Sequence, residues 1–193
     1  MYEVSGQISI RENSIMNTVK ILFFSLVFII AGQSSGMAGV SSQLGTSYGK
    51  QFRSNEDLAQ YEIFWRQSLP YQTTLGDNWN VSTNVELAAA LIRESGSDHT
   101  GTGRFSFMPQ VVVSPHEMIH FIFGFGAGYM VGPTEFTDHD LGGNFLLNSK
   151  VGVQLLFGGH WGVEYVFYHQ SNAGIYDHNA SLNMNQLTLV YNF

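Results

Sequence analysis

Trp161-Gly162-Val163-Glu164-Tyr165-Val166-Phe167-Tyr168-His169-Gln170-Ser171 alternates with a period of two. In an extended strand successive side chains point to opposite faces, so Trp161, Val163, Tyr165, Phe167, His169 and Ser171 share one face and Glu164 stands on the other. A large apolar and aromatic face backed by an ionisable one is the pattern of a strand between lipid and a polar lumen. The strand ends on a candidate base and a candidate nucleophile on the same face, about 6.6 to 6.8 Å apart along the backbone. One hairpin therefore has the residues for an active site at its tip, facing outward.

The same alternation runs through the chain from Tyr61 onward. In Phe145–Phe157 one face reads Phe145, Leu147, Ser149, Val151, Val153, Leu155, Phe157 and the other carries Asn148, Lys150, Gly152 and Gln154. In Ile119–Val131, Phe121, Phe123, Phe125 and Tyr129 share one face, while His120, Gly124, Gly126 and Gly128 share the other, which suits a narrow lumen. Period two predicts strands near 43–52, 58–69, 79–94, 104–114, 118–131, 143–157, 161–172 and 185–193. The fold expected is all-β: an eight-stranded antiparallel transmembrane β-barrel. The connections around 115 and 159 are short and those at 95–103, 133–142 and 173–184 are longer and polar, as in barrels with turns on one side and loops on the other. Glu62, Arg66, Glu86, Lys150 and Glu164 fall on the inner face, a mixed-sign set suited to pairing across a filled lumen.

Composition agrees. Of 193 residues 12% are charged and 14% aromatic, with 21 glycines, which is lean in charge for a soluble domain. A net charge of −7 with 8 Lys and Arg argues against nucleic acid, and zero cysteines excludes disulfides and thiolate metal sites. Lys20 precedes an apolar run, Ile21–Ala31, followed by small residues from Gly32 to Gly39. That run is too short to span a bilayer as a helix and reads as a secretory signal peptide. Met16 is the expected start, residues 1–15 an upstream extension, and cleavage after Gly36 or Ala38 satisfies the small-residue rule. Residues 1–38 are thus expected to be removed, leaving 39–193 as one barrel domain.

His169-Gln170-Ser171-Asn172-Ala173-Gly174, with Asn179 and Asn183 downstream and an aromatic terminus at Phe193, resembles the PagL-type lipid A 3-O-deacylases of the Gram-negative outer membrane. Their signature is His-x-Ser-Asn-x-Gly, then an Asn and an acidic residue. The resemblance implies a serine hydrolase, a carboxylic ester hydrolase that removes the 3-position ester-linked acyl chain of lipid A or lipopolysaccharide in the outer leaflet. It puts the base on His169, the nucleophile on Ser171, and oxyanion roles on Asn172, Gly174 and Asn179. It implies no cofactor and no metal. The family's acid falls on Asn183, an amide, which can orient an imidazole but adds no charge. Asp177 in the same loop is a substitute to consider. Strand pairing places Asn183 beside His169 across the hairpin.

Two other readings stand beside this one: a non-catalytic small outer-membrane barrel with a structural or adhesive role, a degenerate homologue, and acyl transfer to another lipid by the same serine. A homodimer is compatible with the sequence. His116-Glu117-Met118-Ile119-His120 matches H-E-x-x-H, which binds zinc only on a helix. Here it sits at a turn entering a strand, where the two histidines are about 13 Å apart. Asp138-His139-Asp140 reads as a solvated acidic loop.

Overall fold

Alternation of apolar and polar residues closes the chain on itself. The computed structural model describes residues 41–52, 58–76, 78–95, 101–137 and 139–193. Its barrel strands are β1 (Ser42–Gln51), β2 (Leu58–Leu75), β3 (Trp79–Glu94), β4 (Thr102–His116), β5 (Ile119–Val131), β8 (Phe145–Phe157), β9 (Trp161–Ser171) and β10 (Leu182–Asn192). A two-residue ribbon, β6 (Glu135–Phe136) with β7 (His139–Asp140), lies in the loop before β8. The barrel is closed in the order β1-β10-β9-β8-β5-β4-β3-β2, every pair antiparallel. No helix among the described residues is long and apolar enough to cross a membrane. The segments read as upstream extension and signal peptide lie outside the described residues.

The two faces of the wall are the two faces read from the sequence. Tyr165, Phe167, Leu187 and Leu189 are exposed outward. Glu62, Arg66, Glu86, Lys150 and Glu164 are all at most 4% exposed, inside the lumen. Arg66 bridges Glu86 at 2.8 Å and Glu164 at 2.7 Å, and Lys150 reaches Glu86 at 2.6 Å. Arg104, on a β4 that begins at Thr102 rather than 104, completes the set by pairing with Glu62 and lying 4.6 Å over the Tyr168 ring. Three cations thus face three carboxylates, the condition under which buried charge is tolerated. Gly124 and Gly152 give these side chains room: a Cβ at Gly124 would meet Lys150 Cγ at 3.0 Å, and one at Gly152 would press on Val166.

Strand limits differ from expectation where local pattern is weak. β2 runs to Leu75 rather than 69, through a bulge between Ser68 and Gln72 that contains Pro70, which has no N–H for a ladder. β10 begins at Leu182 rather than 185, and the stretch 133–142 contains the small ribbon instead of plain loop. His116 closes β4 and pairs with Ile119, so the H-E-x-x-H stretch is a β-hairpin turn; His120 Nδ1 lies 2.6 Å from Ser114 Oγ. Ser42 and Phe193 exchange backbone hydrogen bonds at one rim, the rim opposite Ser171.

Candidate active site

β9 and β10 position the site. Their register pairs His169 with Asn183, and parity turns both side chains outward, with Ser171 one pleat further along β9. His169 Nε2 lies 3.2 Å from Ser171 Oγ, and its Nδ1 lies 2.8 Å from Asn183 Oδ1. All three side chains are half-buried. The Asn183 amide NH2 donates to Ser181 Oγ at 3.3 Å, which leaves its oxygen turned to the imidazole. That oxygen accepts from Nδ1–H, so the Nε2 lone pair faces the serine hydroxyl, the tautomer a general base requires. The Asn183 backbone N–H donates to Gln51 Oε1 at 2.9 Å, and Gln51 Nε2 lies 3.2 Å from His139 Nε2. Gln51 ties the strand carrying Asn183 to the neighbouring strand and to an outer loop; local patterning carries no signal for it.

The loop after Ser171 is held by asparagines. Ile175 N donates to Asn172 O at 3.1 Å, and Ala173 and Gly174 have φ of 53° and 81°, so Asn172–Ile175 is a turn with both central residues in the left-handed region. Asn172 Oδ1 accepts from Gly174 N at 2.7 Å and Ile175 N at 3.1 Å, while its NH2 donates to Leu141 O at 2.7 Å and to His178 O. Asn179 Oδ1 accepts from Asn172 N at 3.2 Å. Of the three residues tied to an oxyanion, the Asn172 amide and the Gly174 N–H are therefore committed to the turn. Asn179 keeps its NH2, and Ala173 its N–H, without an acceptor among the described residues. Ala173, whose strained φ sits two residues past the serine, went unnoticed in the sequence. Asp177 is exposed, whereas the group against His169 Nδ1 is the Asn183 amide. Asp140 of the outer loop pairs with His178 at 3.0 Å and accepts from Gly142 N at 2.8 Å; Asp138 lies outside the described residues.

A closed eight-stranded barrel with a Ser-His-Asn constellation on its lipid-facing wall defines a class: a small outer-membrane barrel carrying a hydrolase-type site at its rim. The family model described as lipid A 3-O-deacylase (PagL) matches residues 59–192, and the chain belongs to that family. Among solved structures it is similar to the crystal structure of the outer membrane enzyme PagL, at 16% identity, TM-score 0.65, covering 77% of this chain and 97% of that one. It is also similar in fold to the N-terminal β-barrel domain of Pseudomonas aeruginosa OprF, at 13% identity and TM-score 0.54, covering 79% and 97%. No curated protein sequence matches it directly. The chain is an outer-membrane lipid A deacylase, an ester hydrolase.

Proposed function

We propose that this deacylase works by serine catalysis, with Ser171 as nucleophile, His169 as general base and acid, and Asn183 as the group that orients the imidazole. The observation that carries the reading is the continuous relay Asn183 Oδ1, His169 Nδ1 and Nε2, Ser171 Oγ, at 2.8 and 3.2 Å. Ser171 Oγ bonds to the carbonyl carbon of the 3-linked ester as its proton passes to His169 Nε2. The tetrahedral oxyanion is met by the Asn179 NH2 and the Ala173 N–H, while Asn172 and Gly174 hold the turn that presents them. Collapse expels the sugar 3-oxygen, which takes the proton from His169. Water, deprotonated by the same imidazole, then attacks the acyl-serine, releasing the fatty acid and restoring the hydroxyl.

The outward position suits a substrate that stays in its leaflet. Phe167 and Leu187 flank the site toward the barrel waist, where acyl chains lie, and the loop 172–181 stands at headgroup level. We further propose that export removes residues 1–38, leaving 39–193 as the mature barrel. All groups of the relay come from one chain, so a homodimer would add stability rather than chemistry.

Mass spectrometry of lipid A from a host expressing the wild type or Ser171→Ala, both checked for folding by heat-modifiable gel mobility, tests the mechanism. Loss of one 3-linked acyl mass with wild type alone is the expected result. Equal loss with both would rule out Ser171 as the nucleophile, and the acyl chain appearing on an acceptor lipid would mean transfer instead of hydrolysis.

A further inference from the structure

Asn183 sits on the last rung that joins β10 to β1. The register of these strands pairs Gln51 with Met184, and one step further it brings Phe52 opposite Asn183. At the other end of the same ladder Ser42 and Phe193 exchange both backbone bonds, Ser42 N to Phe193 O at 3.3 Å and Phe193 N to Ser42 O at 3.0 Å. Exchanging and non-exchanging pairs alternate along an antiparallel ladder, and Phe52 lies an even number of residues from Ser42, so its pair with Asn183 is of the exchanging kind. Phe52 N does donate to Asn183 O, at 2.7 Å, but the Asn183 N–H donates to a side chain, Gln51 Oε1, at 2.9 Å. A side-chain amide thus stands in for a backbone carbonyl at the residue whose Oδ1 meets His169 Nδ1.

The Gln51 amide is itself held at both ends. An N–H only donates, so the Gln51 atom facing Asn183 is the carbonyl oxygen, and its NH2 donates to His139 Nε2 at 3.2 Å. His139 opens a stretch fastened to the loop that follows Ser171: the Asp140 carbonyl accepts from Ala180 N at 3.0 Å and the Leu141 carbonyl from the Asn172 NH2 at 2.7 Å. Leu141 is fully buried in the cluster that includes Leu182, the residue before Asn183. Asn183 therefore has its O on Phe52, its N–H on Gln51 and its NH2 on Ser181, and only Oδ1 is left to face the imidazole.

We propose that Gln51 is a positioning residue for the deacylation: it fixes the backbone of Asn183 so that Oδ1 holds His169 in the tautomer with hydrogen on Nδ1. This rests on the serine reading above. Gln51 makes no bond to His169 or Ser171 and acts through Asn183. Without its oxygen the Asn183 N–H loses its acceptor on β1, the peptide is released to turn, and the imidazole loses a fixed partner. Misplacing a reacting group by about 1 Å costs as much as about 10²-fold in rate.

The test uses the full-length protein in detergent micelles, each variant checked for folding by heat-modifiable gel mobility. It reads kcat and KM on lipid A together with the nitrogen NMR resonances of the His169 ring, assigned by their absence from His169→Ala. Gln51→Ala is expected to lower kcat about tenfold with KM changed less than about twofold, and to replace the single Nδ1–H tautomer of His169 by a mixture. Gln51→Glu, which keeps an oxygen for the Asn183 N–H, should return kcat to within about threefold of the wild type and restore the single tautomer. His139→Ala, which leaves Gln51 Oε1 on Asn183, should lower kcat less than about threefold. A folded Gln51→Ala with wild-type kcat and an unchanged His169 spectrum overturns the proposal, as does a rise in KM alone, which would make Gln51 a substrate contact. A fall with His139→Ala equal to that with Gln51→Ala would put the hold in the outer loop and overturn the assignment to Gln51. If Ser171→Ala still hydrolyses lipid A while Gln51→Ala still mixes the His169 tautomers, the serine reading fails and the hold on Asn183 stands.

Discussion

The lumen and the outer rim use similar polar chemistry to opposite ends. Inside, three cations meet three carboxylates at most 4% exposed, each fastened to at least one partner from another strand. Outside, Ser171, His169 and Asn183 form a hydrogen-bonded relay that holds no carboxylate, half-buried and open to the lipid face. Full charge is paired inside the lumen, and the groups proposed to react stand on the outer wall. A charge in the lumen is compensated by a fixed partner and stabilises closure, whereas a formal charge facing lipid carries a desolvation cost unless headgroups or water reach it. The amide at 183 fits that division: on the proposed mechanism it orients His169 without adding a charge to the lipid face, and gives up the stabilisation a carboxylate would lend the imidazolium.

Breaking the lumen should produce the largest effect. Arg66 is hydrogen-bonded to Glu86, Glu164 and Gln43, so Arg66→Ala leaves Glu164 without its cation in the barrel interior and Glu86 with Lys150 alone. Removing one partner of a buried pair costs about 3–5 kcal/mol. Urea unfolding in lipid vesicles should show a loss of this size, and the fraction that stays folded should retain wild-type specific activity. A folded variant with full stability and altered turnover would contradict the separation of the two regions.

Converting the rim toward the chemistry of the lumen should have an intermediate effect. Asn183→Asp is nearly isosteric, keeps an oxygen against His169 Nδ1 and adds the missing charge. Turnover should rise roughly tenfold to a hundredfold, at about 1.4 kcal/mol per decade, with little change in KM. The Ser181 hydroxyl now accepts from the Asn183 NH2; facing a carboxylate it must become the donor. Ser181→Ala should therefore lower turnover of both forms, which a series of kcat measurements on the four combinations would show. No gain from Asp would mean that orientation, not charge, is what residue 183 supplies.

How much of this was legible in the sequence follows from how far each interaction reaches. The wall separates lipid from lumen at every strand, so period two was written into Trp161–Ser171 and Phe145–Phe157, and strand count and facing could be read there. The meeting of His169 with Asn183 was legible because an antiparallel hairpin has few registers and only one parity puts both outward. The continuation of β2 past 69 was not, because Gln72, Thr73 and Thr74 show no alternation and Pro70 suggests an end rather than a bulge. Nor was the anchoring of Asn172 on the carbonyls of Leu141 and His178, or that of Asn183 on Gln51: the first and last span 31 and 132 residues and depend on how separate strands and loops meet, and the second, over 6 residues, on an irregular loop with no periodic pattern. The motif gave Asn172 and Gly174 a share in the oxyanion site; in the folded loop the Gly174 N–H donates to Asn172 Oδ1 and the Asn172 NH2 to the carbonyls of Leu141 and His178.

The smallest expected effect sharpens the same contrast, because it concerns strain at the rim. Ala173 has φ 53° two residues past Ser171, a conformation that a residue with a Cβ adopts at a cost of about 1–2 kcal/mol and glycine adopts freely. Ala173→Gly removes that cost in the folded loop but adds freedom to the unfolded chain, so the net gain in stability should be no more than about 1 kcal/mol. Turnover should fall by less than about threefold, since Asn172 still holds the neighbouring N–H groups through its side chain while the Ala173 N–H becomes less rigidly aimed. Ala173→Val separates strain from aim, because a β-branched residue cannot relax into this φ and must move the peptide itself. If Ala173→Val lowers kcat by tenfold or more while its unfolding midpoint stays near that of the wild type, the turn is a positioning device for the oxyanion. If both variants change only stability, the donors lie elsewhere and the loop is a lid over the strand end.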